Sequence, residues 1–481
     1  MLRIFNTLGK KKEEFVPLKK NEVSFYQCGP TVYWIQHIGN MRAMVLADLI
    51  RRSMEYLGYK VKFARNYTDV GHLTGDEDAG EDKLEKGAKR EGLTPQEIAD
   101  KYIAQFEADV KALNCEEPTE KPRATDYIPQ MAEMVQDLID KGFAYATDLA
   151  IYFDVEKYIA AGHNYAELSG QKLENNLIEA GKGDVADKNK KSAMDFAVWF
   201  FKAGTHKEAL QTWGQDFKGI DQPIKAGFPG WHLECSAMNK TLFGSTIDLH
   251  MGGIEHIPVH HTNEIAQSEA ANGVKFVDYW LHNEHLTVDG AKMSKSGGTA
   301  YSVADVIAKG YDPLALRYFF LQAHYRSKQN FTWEALDAAK SGFDNLRSQL
   351  VSFRPRSASL RAGSAGNPGE VDKSLALKFT SALEDDFNIP SALSVVFEVL
   401  KSDLSDADKY ATIMDFDKVL GLNLSEVSAI KIPAKVADLA EERKKARANK
   451  NWAESDRLRD EINKLGWQIK DAKDSYELKK I

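Results

Sequence analysis

The chain has no run of eighteen or more apolar residues, no internal repeat and only three cysteines in 481 residues. The first absence excludes a membrane-spanning helix. The start, Met1-Leu2-Arg3-Ile4-Phe5-Asn6-Thr7, lacks the basic-then-apolar order of a signal peptide, so a cytoplasmic protein with no membrane partner is expected. Cys28, Cys115 and Cys235 show no Cys-x-x-Cys spacing, which argues against a disulfide framework. Reduced thiols with individual roles follow, that of Cys115 being structural. Positive charge is also short, and a net of −8 counts against a surface devoted to phosphate. The average hides a slope, because residues 431–481 hold 14 Lys plus Arg against 10 Asp plus Glu, leaving −12 for the preceding 430. The terminal segment is the locally basic one.

What is present is a chain long enough for two to four domains, with 43% apolar and 28% charged residues. Val23 and Phe25 alternate with polar neighbours and predict a strand ending near Cys28. Leu46, Ile50, Met54 and Leu57 recur at helical spacing from about Asn40 until Gly58 stops them, and Val61 and Phe63 predict a second strand. Strand, helix, strand is the unit of a parallel, doubly wound sheet. Residues 71–100, rich in charge, Gly and Ala, read as an excursion from that sheet, and about 120–225 as an insertion between its halves. The sheet is expected to resume at Thr246-Ile247-Asp248-Leu249-His250 and to break at Gly252-Gly253, before a helix from near Pro258 to near Gly273. Helical patterns dominate afterwards, interrupted by a linker from Arg354 to Glu370. In the last helix Leu458, Ile462 and Leu465 repeat on one face before Gly466.

Three groups of residues carry chemistry. His37-Ile38-Gly39-Asn40 lies at a strand-to-helix junction, where unpaired N–H groups and the helix dipole face an anion and Gly39 permits close approach. Lys292-Met293-Ser294-Lys295-Ser296 follows a turn at Asp289-Gly290, and its two ammonium groups suit the charge that builds during phosphoryl displacement. His260 and Glu264, four apart on a helix, share a face and offer two metal ligands; with Cys28 and Cys235 they make a mixed soft and hard set that zinc accepts. The competing reading is two buried cysteines acting as small apolar residues.

Cys28-Gly29-Pro30-Thr31-Val32-Tyr33, His37-Ile38-Gly39-Asn40, Asn66-Tyr67-Thr68-Asp69, Gly230-Trp231-His232-Leu233-Glu234-Cys235-Ser236, His260-His261-Thr262-Asn263-Glu264 and the lysine loop together resemble the cysteinyl-tRNA synthetases, which are class I aminoacyl-tRNA synthetases. The resemblance runs from Asn6-Thr7 to the C-terminal helix. It implies an α/β fold: a Rossmann-type doubly wound parallel sheet with an inserted connective domain, then an α-helical bundle and a small C-terminal domain. The expected divisions are a catalytic domain in two halves (1–119, and 226–300 ending in the lysine loop), a connective insertion (120–225), a stem-contact helical region (301–353), a linker (354–370), a helical bundle (371–430) and an anticodon-binding domain (431–481).

By the same resemblance Cys28, Cys235, His260 and Glu264 hold one Zn²⁺ per chain, with His261 as the rival ligand, and the metal binds the substrate thiolate. Gly29, Thr68 and Trp231 line the cysteine pocket. His37, Asn40, Lys292 and Lys295 are the implied catalytic residues. They bind ATP, which enters with Mg²⁺, together with Gly39, Gly252, Gly253, Glu255, Met293, Ser294 and Ser296. Similar enzymes show His-Gly-Gly-Gly and then Asp where this chain has His250-Met251-Gly252-Gly253 and Glu255, and often Glu at Thr262. Gly71-His72-Leu73 departs as well. In the tail, Trp452, Asp456, Arg457 and Arg459 match an RNA-contact motif. The implied reaction is activation of L-cysteine by ATP and transfer to tRNA(Cys), by a monomer. Two alternatives are a cysteine ligase acting on an aminosugar, and a non-catalytic zinc or thiol-binding paralogue.

Overall fold

The structure is a computed structural model and describes residues 1–71, 73, 82–170, 187–293, 298–354, 369–426, 433–471 and 476–480. It divides into two compact units, Met1–Ser425 and Glu426–Ile481.

The first unit opens on a hairpin of β1 (Arg3–Asn6) and β2 (Lys11–Glu14). Its centre is a parallel sheet of β3 (Glu22–Gln27), β4 (Lys60–Arg65), β10 (Ile247–Gly253) and β11 (Val277–Asn283), in the order β11-β10-β3-β4. All seven residues of β10 are buried, as a central strand covered on both faces requires. The strand does not break at Gly252, because Gly252 and Gly253 pair with His282 and Asn283 of β11. Between β3 and β4 runs α1 (Ile38–Tyr56), which starts two residues earlier than the apolar repeat indicates, with His37 as its N-cap. The charged excursion folds in part as α2 (Lys83–Glu91) and α3 (Pro95–Ala112), the latter begun by a Thr94/Glu97 capping box.

The insertion is an antiparallel sheet of β5 (Ala144–Ala146), β6 (Ala150–Phe153), β7 (Phe196–Phe201), β8 (Trp213–Gly214) and β9 (Ala226–Pro229), in the order β5-β6-β7-β9-β8. Helices α4 (Ile128–Asp140) and α5 (Val155–Ala160) accompany it. Its sheet takes in Ala226–Pro229, beyond the expected edge at 225, because β9 pairs with β7. The chain then enters α6 (Trp231–Phe243). Ahead of α7 (Thr262–Asn272) the expected helical turn at Pro258 is a π-helix, Ile257–His261. A wider turn of this kind inside a helix re-aims its side chains.

Beyond β11 come β12 (Leu286–Val288), β13 (Ala291–Lys292) and β14 (Gln329–Phe331), a small sheet, with α8 (Val303–Ala308) and α9 (Pro313–Leu321). Helices α10 (Trp333–Phe353), α11 (Lys373–Glu384), α12 (Ile389–Lys401) and α13 (Asp406–Leu420) complete the unit. Sheet and bundle share one apolar core, in which Val45 and Leu49 of α1, Phe319 of α9 and Phe416 of α13 all take part. A buried polar knot ties them: Asp48 of α1 accepts from Arg317 of α9 at 2.7 Å and from Arg52 at 2.8 Å. Arg317 also donates to the carbonyls of Leu420, Leu113 and Asn114.

The second unit packs α14 (Ala434–Ala448) and α15 (Trp452–Lys464) with a hairpin of β15 (Trp467–Asp471) and β16 (Tyr476–Lys480). Leu458 and Ile462 enter its core with Val436, Trp467 and Ile469. Leu465 does not, being the C-cap of α15 and 39% exposed.

Candidate active site

In the parallel sheet the chain leaves β3 toward β4 on one side and β10 toward β11 on the other, so a crevice opens at the C-terminal ends of β3 and β10. A cavity of about 730 Å³ occupies it, reaching from Trp231 and Cys235 past His37 to Lys292 and Met293. Gly39, Asn40, Gly252, Gly253 and Glu255 line it too.

His37 caps α1 with its own ring: Nδ1 accepts from Asn40 N at 3.2 Å, and Asn40 Oδ1 accepts from His37 N at 3.3 Å. This reciprocal box fixes the tautomer, since Nδ1 must be unprotonated to accept. Two first-turn amides are thereby engaged, Asn40 N by His37 and Ile38 N by the Tyr301 carbonyl at 2.7 Å, so the helix end offers fewer open N–H groups than the sequence suggests. Gly39 is closely approached: a Cβ there would lie 2.2 Å from Met293 Cε, which would have to swing aside, and 3.1 Å from the His37 ring. The start of the lysine loop thus meets the start of α1. Lys292 ends β13 and is exposed on the cavity wall, whereas Ser294, Lys295 and Ser296 lie outside the described residues, as does His72. Glu255 is 55% exposed and 3.6 Å from His285.

At the cavity wall, Cys28 from the loop after β3, Cys235 from α6 and His260 from the π turn, with Glu264 from the first turn of α7 behind them, place one donor atom each within 4.8 Å of one another, all buried. A second group with the same property contains Cys28, His250, His261 and Glu264. Both cysteines are free thiols. The Cys28 thiol brings Cys235 down to about 6 against the push of burial, with His260 assisting, while burial drives Cys28 well up. Burial also opposes the charges on His260 and Glu264, yet each sustains the other. Glu264 and Cys235 hold His260 at about 10, and His250 with His260 holds Glu264 at about 2. His260 Nε2 lies 3.0 Å from Glu264 Oε1, but that oxygen accepts no well-directed hydrogen bond among the described residues. Two thiols, one imidazole and one carboxylate, converging with an unsatisfied buried oxygen, fit a zinc ion in place of the shared proton.

Supporting groups surround these donors; the sequence pointed to Gly29, Thr68, Trp231 and His261 among them but gave no role to His232, His250, His282, Asn66 or Glu234. His232 Nδ1 is 2.9 Å from His260 Nδ1, and Trp231 stacks on the His260 ring at 4.1 Å. His250 Nε2 is 2.9 Å from Glu264 Oε2, and His261 is tied to His282 at 2.7 Å, which reaches Thr7 at 2.8 Å. The density of His around positions 250 to 261 is the signal that could have pointed to His250, whereas His232 and His282 lie outside it. Gly29 N donates to Asn66 Oδ1 at 2.8 Å. The Thr68 hydroxyl donates to Glu234 at 2.8 Å and accepts from Asn66 at 3.2 Å. Asp69 of the same motif is a brace, accepting from Arg123 and Thr125.

In the second unit Trp452 is 57% exposed, with the Arg447 guanidinium 5.7 Å from its ring. Arg457 pairs with Glu454 and Glu461, and Arg459 with Asp456, all on the surface of α15.

The sheet and this crevice define a nucleotide-binding α/β fold, and comparison with known proteins gives its class. The family model for the tRNA synthetases class I (C) catalytic domain matches residues 14–341, that for a DALR domain 378–403 and that for a cysteinyl-tRNA ligase anticodon binding domain 431–477. The chain is 41% identical over 480 residues to cysteine–tRNA ligase 1 of Burkholderia lata, covering 99% of this chain and 96% of that one. To the cysteine–tRNA ligase of Treponema denticola it is 39% identical over 504 aligned positions, covering 100% of both. A solved structure of Mycobacterium tuberculosis methionyl-tRNA synthetase with methionyl-adenylate shares the fold, with a TM-score of 0.55 at 16% identity over 83% of this chain and 90% of that one. The chain belongs to the cysteine–tRNA ligase family of class I tRNA synthetases.

Proposed function

We propose that this enzyme charges tRNA(Cys) with L-cysteine in two steps, and that its metal-ligand set selects the amino acid. The observation that carries the reading is the convergence of Cys28, Cys235, His260 and Glu264 at the wall of the cavity that runs past the N-terminus of α1. Of the two donor groups we assign this one, because Cys28, Cys235 and His260 line the cavity while His250 and His261 do not. A zinc ion held there would bind the soft sulfur of cysteine and leave the hydroxyl of serine unbound. Size alone discriminates between such isosteres by only about 1–3 kcal/mol.

Gly29, Thr68 and Trp231 enclose the amino acid, with Thr68 fixed in place by Glu234 and Asn66. One carboxylate oxygen of cysteine attacks the α-phosphorus of ATP, the bond to the bridging oxygen breaks, and pyrophosphate departs with Mg²⁺, leaving cysteinyl-adenylate. His37, whose Nδ1 is occupied by the cap, presents Nε2, and Lys292 and Lys295 meet the charge on the phosphoryl oxygens. Gly252, Gly253 and Glu255 take the nucleoside, beside Met293, Ser294 and Ser296 of the loop. The terminal ribose hydroxyl of tRNA then attacks the activated carbonyl and AMP leaves. No protein nucleophile is needed. The match of the second unit to an anticodon-binding domain favours tRNA over an aminosugar as acceptor, with Trp452, Asp456, Arg457 and Arg459 contacting the RNA. No helix among the described residues is long and apolar enough to cross a membrane.

The test is cysteine-dependent ATP–pyrophosphate exchange followed by charging of tRNA. Lys295→Ala should slow exchange at least about a hundredfold, the scale of losing one transition-state charge contact, with little change in cysteine binding. Exchange at the wild-type rate removes Lys295 from the mechanism, and serine exchanged as fast as cysteine removes the metal's role in selection.

A further inference from the structure

The catalytic cavity has a second side that ATP and cysteine leave unused. The nucleoside residues come from the end of β10 and just beyond it, whereas Trp34 and Ile35 follow β3, and Lys83 and Phe106 of the helices after β4 line the same cavity. Trp34 is half-buried there and Ile35 is 42% exposed. The Arg90 guanidinium lies 3.8 Å from the centroid of the Trp34 ring, and Tyr102 stacks on Trp34 at 6.3 Å with planes 25° apart. Arg90 is held in register by the Tyr33 carbonyl at 3.3 Å and by Glu91 at 2.7 Å. Lys83, Gly87 and Arg90 fall on one face of α2, at spacings of four and three, and that face meets the 31–36 loop. The approach at Gly87 is close: a Cβ there would lie 3.2 Å from the Tyr33 carbonyl oxygen, a tight contact.

An aromatic ring on a cavity wall with a guanidinium on its face, and a lysine in the lining of the same cavity, is an arrangement suited to single-stranded nucleic acid: rings stack bases and cations follow the backbone. The reaction proposed above requires one unpaired RNA end to enter this cavity from a side not filled by ATP. We propose that Trp34, Arg90 and Lys83 form the receiving site for the 3′-terminal nucleotides of tRNA, Trp34 stacking a base and Lys83 meeting a phosphate. This rests on the tRNA-charging function and adds the subsite for its acceptor end.

The experiment uses the full chain and two tRNA(Cys) transcripts, one complete and one lacking its last two nucleotides, with binding followed by fluorescence and charging scaled to each variant's own pyrophosphate exchange. Wild type should bind the complete transcript about tenfold tighter, within the range of one stacking contact. Trp34→Ala should bind both alike and raise the KM for tRNA by a similar factor, Trp34→Phe should retain most of the difference, and Arg90→Lys should lose part of it. A Trp34→Ala enzyme that still distinguishes the transcripts overturns the assignment. So does one whose only change is a raised KM for ATP, or a fall in exchange and charging by the same factor, as a purely structural role would give. If the wild type charges no tRNA at all, the proposed function fails instead.

Discussion

Asp48 is the residue on which the joint between the nucleotide-binding sheet and the helical bundle depends, and Asp48→Asn tests that dependence without changing shape. Arg317 is fully buried, and its guanidinium is satisfied by three backbone carbonyls and by the Asp48 carboxylate at 2.7 Å. Arg52 also uses Asp48, at 2.8 Å, but has Glu116 at 3.0 Å as a second anion. Neutralising Asp48 therefore leaves Arg317, not Arg52, as a buried cation with no carboxylate in direct contact among the described residues, Asp417 acting on it only through space. Breaking one half of a buried pair costs about 3–5 kcal/mol, because desolvation has already been incurred and the compensating attraction is gone. An exposed pair on the same bundle, Lys378 with Glu398, is 56% and 46% exposed and serves as the control, where Lys378→Ala should cost under about 1 kcal/mol. Urea unfolding followed by circular dichroism, taken on the main transition, gives both values. A double mutant with Arg317→Gln should recover about 2–3 kcal/mol of the summed loss. A loss below about 1 kcal/mol for Asp48→Asn would refute the argument and mean that the carbonyls alone satisfy Arg317.

Three further outcomes follow from the same geometry. Asp109 is buried with Oδ2 unpartnered, and burial lifts it to about 6 with only Gln105 opposing. The native state therefore keeps a proton that the unfolded chain releases between 3.8 and about 6, and stability falls as pH rises through that window. Asp109→Asn should flatten this slope and raise stability at pH 7.5 by about 1–3 kcal/mol; an unchanged slope in urea titrations at several pH values contradicts it. Zinc content measured by mass spectrometry should be one per chain and should drop in Cys28→Ser and Cys235→Ser, with the thiolate band of the cobalt-substituted protein lost. Retention by Cys235→Ser with loss in His250→Ala would move the metal to the second donor group. Trp452→Ala, at a 57% exposed site, should change stability by under about 0.5 kcal/mol yet raise the KM for tRNA severalfold; an unaltered KM assigns Trp452 to the surface of its own domain.

What could be read before folding was whatever local chemistry determines. His37-Ile38-Gly39-Asn40 was legible as a helix start because caps are made by residues three apart, and the convergence of Cys28, Cys235, His260 and Glu264 was legible because side chains able to hold a metal are few and distinctive. The same reasoning misjudged Gly252, expecting a break where β11 supplies hydrogen-bond partners some thirty residues away in sequence. It placed an ordinary helical turn at Pro258, where the chain makes a π turn. Leu465 kept the apolar period of its helix, but the helix ends at that residue. The places of His232 and His282 behind the candidate ligands were out of reach for a deeper reason. A buried imidazole is useful there only through the partner on its other nitrogen, and His232 with His260, or His261 with His282, are paired by tertiary packing that no spacing encodes. Trp34 and Arg90 are the extreme case: an ordinary aromatic and an ordinary arginine, they become a candidate nucleic-acid platform because α2 packs closely on the loop after β3 and sets the guanidinium over the ring.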